Sequence, residues 1–267
     1  MIYISGSGQM CNNMLQFGHF YAFGKENKLD VCGLRFCYKY LYFELSNKKN
    51  YSWKTYLLAK YLTKLGFIPK INFDCEVNLP FQKSYLLTKK SVFVSGWLFR
   101  EYDLFLKYRE EIKALFAFKT SVIESVNPKL LASQNPKLGV HVRRGDYSTW
   151  FNGKYFFTDH DYINLIKSFL NNLNILVDVI IVTNDKQIDK TWFTRQIPNV
   201  NVNFADGNQA QDLYILSNCD YIIGPPSTFS LMASFYHDKP IYWIYDKNLE
   251  ITNTSFSSFD EYFRNII

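Results

Sequence analysis

The chain has 267 residues, of which 48% are apolar and 20% charged. That is enough to bury a sizeable core in one large domain or two lobes, and the wrong balance for a disordered chain or a coiled coil. Twelve Gly and eight Pro exclude collagen-like and linker-like chains, and no apolar run approaches the roughly 20 residues of a membrane span; the strongest, residues 173–182, is broken by Asn174 and Asp178.

Residues 1–9 carry neither the basic nor the apolar region of a signal peptide, so none is expected. The five cysteines (Cys11, Cys32, Cys37, Cys75 and Cys219) are odd in number and form no CxxC pair, which suits a reduced, cytoplasmic chain. The net charge of +6 is unevenly distributed. Residues 1–134 hold 19 Lys and Arg against 10 Asp and Glu; residues 135–267 hold 11 against 14. Two lobes divided near 132–137 fit this break, the first basic enough to face something anionic or simply carrying solvated lysines. The lysines are scattered and no nucleic-acid motif accompanies them, so nucleic acid is not an expected partner.

In chain order, the first half opens with a strand over residues 2–5, a loop over 6–11 and a helix over 13–26. Asn12 is its expected N-cap, and Met14, Leu15, Phe17, Phe20, Tyr21 and Phe23 supply an apolar face. Further helices are predicted over 53–65, 103–116 and 119–131, and a strand over 91–95. The second half is more regular. Strands are predicted over 138–142, 177–183, 200–204, 221–223 and 240–244, alternating with helices over 159–173, 185–195, 209–218 and 227–236. These strands read as continuous apolar runs, the pattern of a parallel sheet covered on both faces. The expected fold class is therefore α/β: an N-terminal α/β lobe (1–134) and a C-terminal Rossmann-like lobe (135–267) facing a cleft, with ligand at the carboxyl ends of the strands.

The most informative stretch follows the first strand of the second lobe: His141-Val142-Arg143-Arg144-Gly145-Asp146-Tyr147. Neighbours on an extended segment point to opposite faces, so one arginine can face a ligand while the other braces it. A guanidinium offers forked donors that match phosphate oxygens. An Arg–Asp ion pair at a strand end is the plainer reading of the same residues. A second feature favours the anion. After the strand at 221–223 comes Gly224-Pro225-Pro226-Ser227-Thr228-Phe229-Ser230, a turn opening a helix with Ser227 or Thr228 as N-cap, and such a terminus attracts anions. Asp212 is suited either to pairing with a purine amide edge or to a plain helix-start charge.

These residues resemble glycosyltransferase family 11, the α-1,2-fucosyltransferases. His141–Tyr147 matches the family's HxRRGDY motif. Asp212–Ser217, Cys219 and Ser227–Ser230 are similar to its DLYLMS…C…NSSFS segment. Val182-Thr183-Asn184-Asp185 with Trp192 resembles FSDD…W, and Gly8–Gln16 resembles the GGLGNQxFQ loop with Asn12 on the motif asparagine. The segments occur in the family's order. The chain departs from the pattern at Cys11 (Gly in the family), Asn184 (Asp), Pro225-Pro226 (Ala-Asn) and Leu231-Met232 (Trp-Trp).

The resemblance implies a GT-B-type fold and inverting, metal-independent transfer of fucose from GDP-fucose to a glycan hydroxyl, such as one of a cell-surface glycan; the basic first lobe would suit a lipid-linked oligosaccharide as acceptor. It implies no bound cofactor. Arg143 would hold the diphosphate, His141 and Asp212 the guanine, and Ser227 and Thr228 the β-phosphate. Asn12, Arg144, Asp185 and Phe229 also fall on the donor site. Inverting transfer needs a base for the acceptor hydroxyl. Asp146 is the first candidate and His19 its rival, although a histidine among Phe and Tyr is more often packed; His160 and His237 read as structural. Another nucleotide-sugar donor, or a non-catalytic nucleotide- or glycan-binding module, remains as an alternative. Peripheral contact at the inner membrane face also follows from the basic first lobe.

Overall fold

In the computed structural model, which describes residues 1–74, 79–173 and 176–266, the chain divides into two units, Met1–Thr120 and Ser121–Ile267. The boundary expected at 132–137 falls inside the second. Cys75 and Asn174 lie outside the described residues.

The first unit carries strands β1 (Ile2–Ile4), β2 (Val31–Gly33), β3 (Lys70–Asn72) and β4 (Val92–Ser95) in the all-parallel order β2-β1-β4-β3. Helix α1 (Met10–Glu26) is buried on nearly every side, because Phe17, Phe20 and Phe23 fill one flank while Cys11, Leu15 and Ala22 close the other. It starts earlier than expected. Gln9, with extended backbone, is the N-cap, and Asn12 lies inside the first turn. The other helices are α2 (Trp53–Lys64), α3 (Leu79–Thr88), α4 (Tyr102–Lys107) and α5 (Arg109–Leu115). The expected helix over 103–116 is thus two, parted at Tyr108, whose φ of −105° and ψ of 19° leave the helical region. The expected helix over 119–131 is only α6 (Thr120–Glu124), followed by a 3₁₀ turn in which Asn127 caps Pro128–Leu130. Proline is accepted at that first position because it has no N–H to leave unbonded.

The second unit holds the sheet β7-β6-β5-β8-β9, also all parallel: β5 (Lys137–Val142), β6 (Asp178–Thr183), β7 (Val202–Phe204), β8 (Tyr221–Gly224) and β9 (Ile241–Trp243). Helices α7 (Asp159–Leu173), α8 (Lys190–Gln196), α9 (Gln209–Ser217), α10 (Thr228–His237) and α11 (Phe259–Phe263) connect and follow the strands. All six residues of the central β5 are buried, which suits its Leu138, Val140 and Val142 and leaves Lys137 and His141 as buried polar residues near its two ends. Gly139 lets α9 approach this strand: a Cβ there would lie 2.5 Å from Leu216 Cδ1 and 2.9 Å from Cys219 Sγ. The carboxyl end of β5 thereby becomes a fixed platform, flanked by β6 and β8, on which the arginine loop begins.

Candidate functional site

His141 is the fifth residue of β5 and is 4% exposed. Its Nδ1 lies 3.4 Å from Ser227 Oγ, and its ring packs at a 4.9 Å centroid separation against Phe229. Burial, with help from the Arg143 charge, pushes its pKa down to about 3, so the imidazole is neutral. Gly224, at the end of β8, is required beside it, since a Cβ there would approach His141 Cβ to 2.9 Å.

The two arginines have different surroundings, as the alternation of an extended segment requires. Arg143 Nη2 donates to Asp146 Oδ2 at 3.0 Å and lies 2.8 Å from Oδ1, and its guanidinium stands 5.4 Å over the Tyr147 ring. Asp146 itself is largely exposed. Arg144 is nearly buried. It pairs with Asp159, lies 3.7 Å from Asp185 Oδ2, and covers the Phe156 and Tyr162 rings. Its backbone N–H donates to Asn184 Oδ1 at 2.8 Å. Asn184, the residue that departs from the family's aspartate, therefore holds the arginine loop in place. Gly145, at φ +65°, makes the turn that follows.

The loop is tied to the next strand end. Tyr147 Oη donates to the Pro226 carbonyl at 2.6 Å. Directly after it, Ser227 caps α10, its Oγ accepting from the Ser230 N–H, and Thr228 is the first helical residue. Trp243 Nε1 donates to Ser230 Oγ at 3.0 Å and braces that first turn from β9. Arg143, His141, Ser227 and Phe229 thus gather around the ends of β5 and β8, with Asp146 held by Arg143.

Asp212 lies in the first turn of α9, which a reciprocal Asn208–Gln211 capping box opens. Its Oδ1 is buried and accepts no hydrogen bond among the described residues. Burial, reinforced by the Asp206 charge and opposed by the Gly207 amide, raises its pKa to about 7. No hydrogen bond or ion pair joins it to the Arg143 group among the described residues. Asp185 stands on the far flank with Arg144. There a groove of about 750 Å³ is lined by Gly145, Phe156, Asp159, His160, Asp185 and Trp192. His160 meets the Trp192 ring edge-on at 4.8 Å.

In the first unit, Asn12 occupies the first turn of α1, but its neighbours Asn13 and Gln16 are the residues that hold the loop before it. Asn13 Nδ2 donates to the Ser7 and Gln9 carbonyls, and Gln16 Nε2 to Ser7 Oγ and the Gly96 carbonyl. The amides of Asn13 and Gln16, three residues apart and set among Met14, Leu15 and Phe17, were the signal for this role. His19, the rival base, is fully buried against Phe105 and Tyr102, and its Nδ1 accepts from the Glu101 N–H. Its pKa is driven well below the ordinary value by burial. It is a packed histidine. Among the described residues no three His, Cys, Asp or Glu side chains gather as a metal cluster, and no helix is long and apolar enough to cross a membrane.

The model of glycosyl transferase family 11 matches residues 36–263, most of the chain. The chain belongs to that family. The matched span includes the arginine motif and the Ser227 turn, while the Gly8–Gln16 loop lies before it. No curated protein matches the sequence significantly. Solved structures that share the fold include the following three. FUT1 of Arabidopsis thaliana, a point mutant in complex with GDP, is 12% identical over 96% of this chain and 72% of its own, with a TM-score of 0.61. The fucosyltransferase NodZ from Bradyrhizobium is 12% identical over 96% and 97%, at 0.58. POFUT1 in complex with GDP-fucose is 11% identical over 89% and 94%, at 0.56. At such identities the likeness shows the fold alone: α/β, of the GT-B type, with two parallel sheets.

Proposed function

We propose that this glycosyltransferase moves fucose from GDP-fucose to a glycan hydroxyl, forming an α-1,2 linkage with inversion and without a metal ion. The observation that carries the reading is the gathering of Arg143, neutral His141 and the Ser227-capped end of α10 at two adjacent strand ends of one sheet. Family membership and the fold shared with structures that hold GDP or GDP-fucose support the choice of donor.

In this reading Arg143 and the α10 terminus supply the positive potential that a leaving diphosphate needs, as a divalent ion does elsewhere. Ser227 and Thr228 meet the β-phosphate. His141, with Phe229 against its ring, faces the nucleotide as a neutral donor or acceptor. Asp212 offers its unbonded oxygen to the paired N–H groups of guanine, a match that a uracil or adenine edge does not make. Arg144 and Asp185 hold the loop from behind. Asn12 is assigned to donor binding on the resemblance alone. Asp146 is the proposed base: exposed, and released toward the acceptor hydroxyl when a phosphate takes its place on Arg143. The four described cysteines are free thiols, which supports a cytoplasmic location.

Titration calorimetry with GDP, GDP-fucose, UDP and ADP, on wild type and Arg143→Ala without added metal, tests the donor. Guanine-selective binding lost in the variant is expected. Stronger binding of UDP or ADP would move the assignment to another nucleotide sugar, and GDP-fucose binding without turnover on any glycan would favour a non-catalytic module.

A further inference from the structure

Helix α2 turns its apolar side outward. Trp53, Leu57, Leu58, Tyr61 and Leu65 recur at the spacing that sets them along one face of an α-helix. Trp53 is 58% exposed, Leu58 60%, Tyr61 57% and Leu65 67%, and Phe67 just beyond the helix is 74% exposed. The opposite side carries Thr55, Tyr56 and Thr63, and Ala59 is the helix's buried residue. An ordinary surface helix has the reverse arrangement. A single exposed Leu means nothing; a contiguous face with Trp, Tyr and Phe marks a contact surface.

Along the chain, the charges from Leu45 to Phe73 are of one sign. Residues 45–73 contain Lys48, Lys49, Lys54, Lys60, Lys64 and Lys70 and no Asp or Glu. All six lysines are exposed, and none forms an ion pair among the described residues. Lys54 and Lys64 stand on the apolar side itself, where long stems can lie along the apolar surface while the ammonium reaches outward. Two copies of the chain meeting through this face would set lysine against lysine, which opposes self-association. An anionic bilayer removes the conflict. Lipid phosphates meet the lysines, Trp53 and Tyr61 suit the headgroup level, and Leu58, Leu65 and Phe67 enter the acyl boundary.

We propose that α2 and the following turn to Phe67 form a docking face for an anionic lipid surface. It is independent of the donor chemistry. The test is co-sedimentation of the full chain with phosphatidylcholine vesicles, with and without phosphatidylglycerol, at low and high salt. Three proteins are compared: wild type, a Lys54→Glu/Lys60→Glu/Lys64→Glu variant, and a Trp53→Ser/Leu58→Ser/Phe67→Ser variant. Wild type should pellet with the anionic vesicles, at least tenfold more than with the neutral ones, and salt should weaken it. Each variant should lose most of that partition while keeping the wild-type melting temperature. Failure of wild type to bind anionic vesicles, or binding that both variants retain, overturns the proposal. So does a concentration-dependent dimer abolished by the apolar variant, which would make a second copy the occupant. GDP titration of the same samples keeps the two readings apart, since either result can fail while the other holds.

Discussion

Tyr147 reaches from the end of the arginine loop to the carbonyl of Pro226, 79 residues away in sequence, across 2.6 Å. The bond fixes the distance between the guanidinium of Arg143 and the first turn of α10, the two features assigned to one diphosphate. Tyr147→Phe keeps the ring under Arg143 and removes the hydroxyl that bonds Pro226 and neighbours the Ser227 side chain. We expect a loss of about 1–2 kcal/mol in stability, since the Pro226 carbonyl is left buried and unbonded. GDP should bind several-fold more weakly, with guanine selectivity intact. Chemical denaturation and calorimetry check the pair.

The adjacent arginines should separate cleanly by experiment. Among the described residues Arg143 has one carboxylate partner, and that partner is exposed, so Arg143→Ala should leave folding nearly unchanged while removing measurable GDP binding and slowing turnover by 10² or more. Arg144 is nearly buried between Asp159 and Asp185. Truncating it leaves partly buried carboxylates without their cation, and roughly 3 kcal/mol of stability should be lost. Melting curves and GDP isotherms of the two variants should therefore move in opposite orders of severity.

Much of this arrangement is legible in the residue pattern, and the exceptions have physical reasons. The second sheet shows because β5 and β6 are covered on both faces, which places Leu138, Val140 and Val142 in one and Val179–Val182 in the other where strictly alternating strands would carry exposed polar residues. Strand β3 is largely exposed and reads Lys70-Ile71-Asn72, with no apolar run to mark it, and β2 passes directly into a 3₁₀ turn at Leu34. Asn12 has the chemistry of an N-cap, but Asn13 and Gln16 hold the preceding loop so that the helix begins at Met10. At the site, neighbours along the chain were readable and partners across it were not. His141 through Tyr147 stand out as a segment, whereas the clamp of Asn184 on the Arg144 backbone and the Tyr147–Pro226 bond exist only once the strands are side by side.

Gly6 and Gly8 both adopt positive φ, +67° and +66°. A Cβ on Gly6 would fall 1.8 Å from Asn13 Oδ1, displacing the side chain that bonds Ser7 and Gln9. Gly6→Ala should cost about 1–3 kcal/mol from strain and displaced packing together. Because the damage is confined to the loop, amide exchange should quicken over residues 5–13 while β5 stays protected, which hydrogen-exchange mass spectrometry can resolve.

Asp212 carries the sharpest pH dependence. Its pKa of about 7 in the folded protein lies far above the ordinary 3.8, chiefly through burial. Guanine N–H groups bond the carboxylate and not the acid, so GDP affinity should rise with pH up to about 7 and level off above it. Each pH unit below 7 should cost as much as tenfold, and Asp212→Asn should flatten the profile. Stability moves the other way. A carboxyl whose folded pKa is raised favours the folded state fully below pH 4, and this contribution fades as pH climbs through 7. Asp212→Asn should therefore be more stable than wild type at pH 8, by a margin on the order of 3 kcal/mol that closes toward pH 4. Urea unfolding of both proteins across that range, beside GDP isotherms at the same pH values, measures the two opposed slopes. A flat affinity profile in wild type would remove Asp212 from the nucleotide, whereas a stability difference alone would leave it only a buried acid.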